Sequence, residues 1–251
     1  VDMVRTWLQT GADVESKPYG FLLRDFDHPL VHDTNLAWVD TEPVGGIESV
    51  LDDLDRTFLG TAVGHRFVSY ADADLAYSHQ DALVAARFQP DAQLAMAKVG
   101  LPACIVNPDL TIEEVGKGAT EGDYRLVQTT IHRENGLSPK ESRQVYEIEA
   151  IRAAALGERR FVGYLGDEAA ATYSLWSRGI FGVIGNVGTL PKFRMRGIGR
   201  TMIFDACSQA TSARCEYVLL TTDLFGTPQT MYTTLGFEPV GELRTFLRPR
   251  V

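Results

Sequence analysis

The ten residues Pro191-Lys192-Phe193-Arg194-Met195-Arg196-Gly197-Ile198-Gly199-Arg200 stand between two different periodicities. Before them, "IFGVIGNVGTL" (180–190) is apolar enough to lie inside a sheet. After them, residues 198 to 212 read as a helix. A strand that feeds a helix through a glycine-containing loop defines an α/β unit. The start of such a helix carries unsatisfied N–H groups and a partial positive charge. Gly197 and Gly199 remove the Cβ atoms that would block a close approach, and Arg194, Arg196 and Arg200 add charge. The loop therefore reads as a site for a pyrophosphate. No second glycine pair follows it, so a dinucleotide fingerprint is not met.

The flanking pattern sets the fold class. "LTIEEVG" (110–116) is a short strand. Thr120, with Asp123 after it, caps a helix to about Asn135, and Gly136 stops it. Ser138-Pro139-Lys140-Glu141 is a fuller start signal, for a helix to Leu156 before Gly157. "RRFVGYLG" and "AATYSLWS", joined at Gly166-Asp167-Glu168, read as a hairpin. "EYVLLTT" (216–222) is a buried strand, Thr227-Pro228 opens a short helix closed by Gly236, and "GELRTFLR" (241–248) is the last strand. The order β-α-α-β-β-β-α-β-α-β predicts an α/β (α+β) fold, a mixed sheet with helices on its faces.

The first part of the chain looks like a worn copy of the last. "ARFQPDAQL" (86–94) aligns with "LGFEPVGEL" (235–243), and residues 46–68 align with 197–218. The two offsets agree, 235 less 86 being 149 and 197 less 46 being 151. A duplicated fold is expected, with the joint near "VGLPACIVNPDL" (99–110), where two prolines interrupt the pattern.

Composition narrows the function classes. A chain of 251 residues makes one large domain or two small ones. A net charge of −9 argues against nucleic acid as the main partner. No apolar run reaches the length of a membrane span, and "VDMVRTWLQTGADVESKPYG" lacks the apolar core of a signal peptide. Cys104, Cys207 and Cys215 have no metal-like spacing and read as buried thiols in a reducing cytoplasm. The expectations are a cytoplasmic protein with no metal site and no membrane partner.

Over roughly residues 108–251 the chain resembles the GNAT superfamily of acyl-CoA-dependent N-acyltransferases. The Arg-x-x-Gly-x-Gly signature is Arg194-Met195-Arg196-Gly197-Ile198-Gly199, and the Tyr-x-x-x-Gly-Phe motif is Tyr232 to Phe237. Val187-Gly188-Thr189-Leu190-Pro191 matches the family strand that pairs with the pantetheine arm like an added strand. The resemblance implies a splayed central sheet in a tandem arrangement. Residues 1–105 would be a degenerate GNAT-like domain and 106–251 the catalytic one. It implies acetyl-CoA as cofactor, held by Val187, Gly188, Thr189, Arg194, Met195, Arg196, Gly197, Ile198, Gly199, Arg200 and Thr201. The acceptor would be a primary amine of a small molecule or peptide, and a homodimer is compatible with the pattern.

In that chemistry an amine attacks a thioester carbonyl polarised by a backbone N–H, and the thiolate takes a proton from Tyr232. The general base is left open. Many family members carry a glutamate where this chain has Val183, and neighbouring Asn186 is no base at neutral pH. Asp223 at the end of a central strand, Glu147 and Glu149, and His132 near a helix end are the candidates. The first copy carries "TEPVGGIES" (41–49) in place of the arginine loop, with Glu42 and Glu48, and Leu83 in place of Tyr232. A non-catalytic acyl-CoA-binding module, O-acyl transfer, and decarboxylation of a malonyl thioester are the competing functions.

Overall fold

The computed structural model describes residues 2–224 and 226–249. Val1, Arg250 and Val251, the outer ends of the two expected domains, lie outside the described residues. The first half contains α1 (Asp2–Gln9), β1 (Asp13–Lys17), β2 (Gly20–Arg24), β3 (Ala37–Val39), α2 (Ile47–Phe58), β4 (Arg66–Tyr70), α3 (Ala73–Ala85) and β5 (Gln89–Val99). The second contains β6 (Leu110–Glu114), α4 (Glu121–Glu134), α5 (Pro139–Leu156), β7 (Arg159–Leu165), β8 (Glu168–Arg178) and β9 (Phe181–Thr189). It continues with α6 (Ile198–Ser212), β10 (Tyr217–Asp223), α7 (Thr227–Thr234) and β11 (Glu238–Arg248).

Local chemistry sets the boundaries. Ser138 Oγ accepts from the Glu141 N–H, and the Glu141 carboxylate accepts from the Ser138 N–H, so α5 starts on a complete capping box. Gly157, with φ of 65°, ends it. Thr120 accepts from the Asp123 N–H at the start of α4. The last strand begins at Glu238, three residues earlier than its composition suggests.

The chain divides into two compact units. One is Val1–Leu94 with Gly241–Val251, and the other is Ala95–Val240. This is not the expected division near 105/106. The difference comes from the two long strands. Each repeat ends in an eleven-residue strand, β5 or β11, and each of these strands is cut by a unit boundary. Residues Arg244–Arg248 of β11 pair antiparallel with Arg66–Tyr70 of β4. The first unit therefore has the strand order β1-β2-β3-β4-β11, and the second β5-β10-β9-β8-β7-β6.

In the first unit, alternation separates two apolar faces. Leu22, Ala37, Val39 and Val68 pack with Ile47, Val50, Leu54 and Phe58 of α2 and with Leu83 of α3. Phe21, Leu23 and Trp38 face the other way, against Leu8, Val4 and Trp7 of α1. In the second unit, Thr172 Oγ1 accepts from Gln128 of α4, whereas the next residue, Tyr173, donates to Asp205 of α6. The two helices thus cover opposite faces of the sheet.

The repeat is visible in the backbone. The order β3-α2-β4-α3-β5 recurs as β9-α6-β10-α7-β11. Gly46 and Gly197, 151 positions apart, both cap their helices with φ of 74°. The Phe88 N–H bonds the Leu83 carbonyl as the Phe237 N–H bonds the Tyr232 carbonyl, at an offset of 149. Nothing lies within 4 Å of where a Cβ on Gly197 would sit, so its requirement is conformational rather than steric. Gly197→Ala is expected to destabilise the second unit by about 1–2 kcal/mol, the cost of a left-handed non-glycine residue. Urea denaturation of the two proteins measures it.

Candidate functional site

The site begins with an irregularity in β9. Thr172 of β8 pairs with Gly188, but Ser174 pairs with Gly185, so β9 carries one extra residue between them. Asn186 lies in this bulge with φ of 51°. The buried amide of Gln128 holds it, donating to the Asn186 carbonyl and to Thr172 Oγ1, both at 2.6 Å. Gly188 follows, and a Cβ there would collide with Ile131 of α4. The bulge and this glycine let α4 lie directly on the end of β9.

On its other side β9 runs parallel to β10. Among the described residues the ladder covers Tyr217–Leu219 against Phe181–Val183 and goes no further. Past that point the strands fork, which leaves Val187, Gly188 and Thr189, all half-buried, on an unpaired edge. An extended group can add to such an edge as a strand does.

The loop follows. Leu190 and a short 3-10 turn over Pro191–Phe193 lead into Met195, fully exposed with φ of 62°, and then into Gly197. The amides of residues 195 to 200 have no acceptor among the described residues. This row of N–H groups at a helix start suits an anion. Asn107, in the segment read as the joint, braces the loop. Its N–H donates to Thr201 Oγ1 at 2.8 Å, and its side chain donates to the Arg196 carbonyl at 2.9 Å. The Thr201 hydroxyl also donates to the Gly197 carbonyl, so its bonding is spent within the loop.

The three arginines differ. Arg194 makes a two-pronged ion pair with Glu134 of α4 at 2.5 and 2.6 Å and donates through Nε to the Thr189 carbonyl. Its charge is therefore balanced at once, against the expectation that all three add to the loop's field. Glu134 is held below the usual carboxylate range by that bond. Arg196 and Arg200 are exposed and form no ion pair among the described residues. They supply the loop's net positive charge.

Gly199 marks where three elements meet. A Cβ on it would lie 3.4 Å from Met231 Sδ of α7 and 3.9 Å from Thr189 Oγ1 of β9. The residue after Met231 is Tyr232, whose side chain is buried beside Phe237. Burial pushes its hydroxyl up to about 12, so it keeps its proton at neutral pH. The hydroxyl has no partner among the described residues.

The base candidates are scattered. Asp223 is exposed at the end of β10. Glu147 is half-exposed and near Arg143. Glu149 is mostly buried, with its Oε1 3.9 Å from His132 Nε2. His132 itself does not face water, as its place near a helix end suggested. It is half-buried between α4 and α5, with Nδ1 3.3 Å from Ser142 Oγ, and desolvation holds it below the usual histidine range. Tyr124, Gln128, Glu158 and Ser174, none of which belongs to a sequence motif, cluster on the same face of the sheet. Their one signal was Thr172 and Ser174 recurring at inward positions of an otherwise apolar strand.

Among the described residues no helix is long and apolar enough to cross a membrane, and no group of His, Cys, Asp and Glu could hold a metal ion. No curated protein matches the chain significantly. The fold resembles that of a functionally unknown conserved protein from Staphylococcus epidermidis, at 15% identity and a TM-score of 0.73 over 100% of this chain and 98% of that one. It also resembles a GCN5-related N-acetyltransferase from Sphaerobacter thermophilus (16% identity, TM-score 0.58, covering 96% and 76%). A third is a tandem GNAT protein from the clavulanic acid biosynthesis pathway (11%, 0.55, covering 85% and 75%). Residues 128–237, which hold the bulge, the fork, the loop and Tyr232, match the acetyltransferase (GNAT) family model. Residues 128–237, under half of the chain, are thus similar to the acetyltransferase (GNAT) family, and the fold as a whole resembles that of a tandem GNAT protein.

Proposed function

We propose that the chain transfers an acetyl group from acetyl-CoA to a primary amine of a small molecule or peptide. The observation that carries this reading is the row of unbonded amides from Met195 to Arg200 at the mouth of the β9–β10 fork. These amides, with Arg196 and Arg200, suit a pyrophosphate, and the edge of residues 187–189 suits an amide-bearing arm. The bound cofactor supplies an activated acyl thioester. Arg194, through Glu134, ties α4 to the loop, so it acts here as a brace for the anion site. Met195, Ile198 and Thr201 contribute backbone or packing.

Tyr232 faces an energetic limit. A thiol titrates near 8.5, and a hydroxyl near 12 is the weaker acid by about 3.5 units, or roughly 5 kcal/mol for complete transfer. Its best use is therefore a hydrogen bond to the negative charge that grows on sulfur, with solvent completing the protonation. The competing reading, an acyl-CoA-binding module without catalysis, draws on Val183, where many family members carry a glutamate. Thiol release from acetyl-CoA with a panel of primary amines separates the two.

The first unit is read as lacking a CoA site. Its helix α2 also starts on a left-handed glycine, but Glu48 Oε2 lies 2.8 Å from where a Cβ on Gly46 would sit, and Glu42 is bound to His79. Carboxylates stand where a phosphate would need cations.

Arg196→Glu is expected to raise the dissociation constant for CoA at least tenfold, about 1.4 kcal/mol, in titration calorimetry. An unchanged affinity would mean that the loop is only a surface turn. Tyr232→Phe is expected to lower kcat by roughly 10²-fold or less with CoA affinity retained. Because the parent hydroxyl stays protonated, no activity loss from its ionisation is expected between pH 7 and 10. The intact chain is expected to bind one CoA, and a stoichiometry near two in the same calorimetry would give the first unit a site of its own.

A further inference from the structure

On the α4–α5 face of the second unit, three buried polar groups converge without hydrogen-bond partners. They are both carboxylate oxygens of Glu158, the Ser174 hydroxyl and the Tyr124 hydroxyl. Ser174 and Tyr124 are almost wholly inaccessible. Buried polar atoms of this kind are few in a folded protein, and three in one place call for a reason.

Register explains how they meet. Arg160 lies over the Tyr124 ring at 5.4 Å, so the even positions of β7 face α4, and Glu158, in the turn before β7, has Arg160 and Ser174 as neighbours on that side. Arg160 pairs across to Ser174, and Ser174 to Gly185, where a Cβ would lie 3.0 Å from Ser174 Oγ. Gly182 faces α6, since a Cβ there would meet Ala210, so Val183 and Gly185 face α4 and α5. Arg160, Ser174 and Gly185 therefore form one row on the face onto which a side chain at position 183 points, and Glu158 stands just before the start of β7, beside that row. Ser174 is close enough to act on Glu158, and Asn186 of the bulge on Tyr124, although neither contact has hydrogen-bond geometry in this conformation.

We propose that Glu158 is the proton-accepting end of a relay that runs from the β9 bulge through the hydroxyls of Tyr124 and Ser174, serving deprotonation of the acceptor amine. The proposal rests on the acetyl-transfer reading above. Two strand spacings, about 10 Å, separate β7 from β9, so Glu158 acts through the hydroxyls and not on the amine itself. The balance is simple. One N–H bond of the ammonium breaks, each hydroxyl passes on a proton as it receives one, and the last forms an O–H bond on the Glu158 carboxylate. The amine is left neutral, and Glu158 returns its proton to solvent between turnovers.

The surroundings suit a reversible acceptor. Burial pushes the Glu158 carboxyl up to about 7, against the partial opposition of Ser174, Arg160 and Arg152. Arg160 is shared with Glu121 of α4 through a 2.6 Å ion pair. Burial, and then Glu149 of α5 and Glu158, raise the Tyr124 hydroxyl well above its ordinary range, which keeps it a proton carrier and not an anion. A base near 7 is half-ionised at neutral pH, where general-base catalysis is most effective.

The test compares the parent with Glu158→Gln. Glutamine keeps the size and removes the charge. The first readout needs no substrate. A folded-state value above the unfolded one means that the parent loses stability as pH rises from about 4.5 to about 7, so the variant should match the parent near pH 4.5 and melt at a higher temperature above pH 7. The second readout is thiol release from acetyl-CoA with spermidine, L-lysine or water as acceptor, between pH 5.5 and 9. In the parent, kcat/KM should rise with an apparent value near 7. The variant should lose that limb and at least tenfold in rate at pH 8, with CoA affinity unchanged by calorimetry. A variant more stable yet slower, with the limb gone, supports the relay. Retention of the limb overturns it, as does equal melting temperature at every pH. If the parent binds acetyl-CoA but releases no thiol with any acceptor, the acetyl-transfer reading falls and the relay with it.

Discussion

Everything at the site depends on one buried amide. Gln128 donates two short hydrogen bonds, to the Asn186 carbonyl and to Thr172, and so stabilises an extra residue in β9. A buried carbonyl left without a donor costs about 1–3 kcal/mol, and Gln128 removes that cost for the bulge. The extra residue also changes which face β9 presents. Before it Gly182 looks to α6, and after it Gly188 looks to α4, although the two positions share parity. Without the bulge one of these faces would clash. With it, β9 parts from β10 beyond Val183 and leaves an edge beside the helix start of α6.

Charge is arranged locally against the sign of the whole. The chain carries −9 overall, yet the loop at the start of α6 exposes Arg196 and Arg200. Nearby cations are neutralised instead, Arg194 by Glu134 and Lys192 by Glu168. These surface pairs add little stability by themselves. Their effect is positional, since Arg194 joins the end of α4 to the Thr189 carbonyl. The anion site is thus defined by unbonded amides more than by a sum of positive side chains.

Duplication explains both the compact units and their unexpected boundaries. The two eleven-residue strands that end the repeats share a motif, Phe-x-Pro with a leucine four residues after the proline, and each is divided between the units. The unit boundaries follow hydrogen-bond partners and not chain order, which is why a composition shift near residue 105 did not mark them. The repeats have diverged where chemistry is concerned and stayed alike where backbone geometry is concerned. Gly46 and Gly197 keep the same positive φ at their helix starts, though not the same ψ, while Arg194, Arg196 and Arg200 of one loop stand opposite Pro43, Gly45 and Ser49 of the other, which carries Glu42 and Glu48 instead.

The local order of elements was legible in the sequence because its causes are local. Ser138 and Glu141 are three residues apart, Gly157 and Gly197 need only their own φ, and the apolar periods of α6 and β10 report which face is buried. The offset of about 150 residues was readable for the same reason, as Phe88 and Phe237 sit in matching turns. The tertiary structure decided what depends on contacts distant in sequence. Whether Arg194 was free hung on Glu134, 60 positions away, and whether His132 met water hung on the packing of α5 over α4. The bulge needs Gln128 from 58 positions upstream of Asn186. Glu158 carries no mark in the sequence beyond its place after a helix end. Its buried place arises only when β7, β8 and β9 come into register beneath α4 and α5, since desolvation is a property of the packed neighbourhood and has no trace in the local sequence.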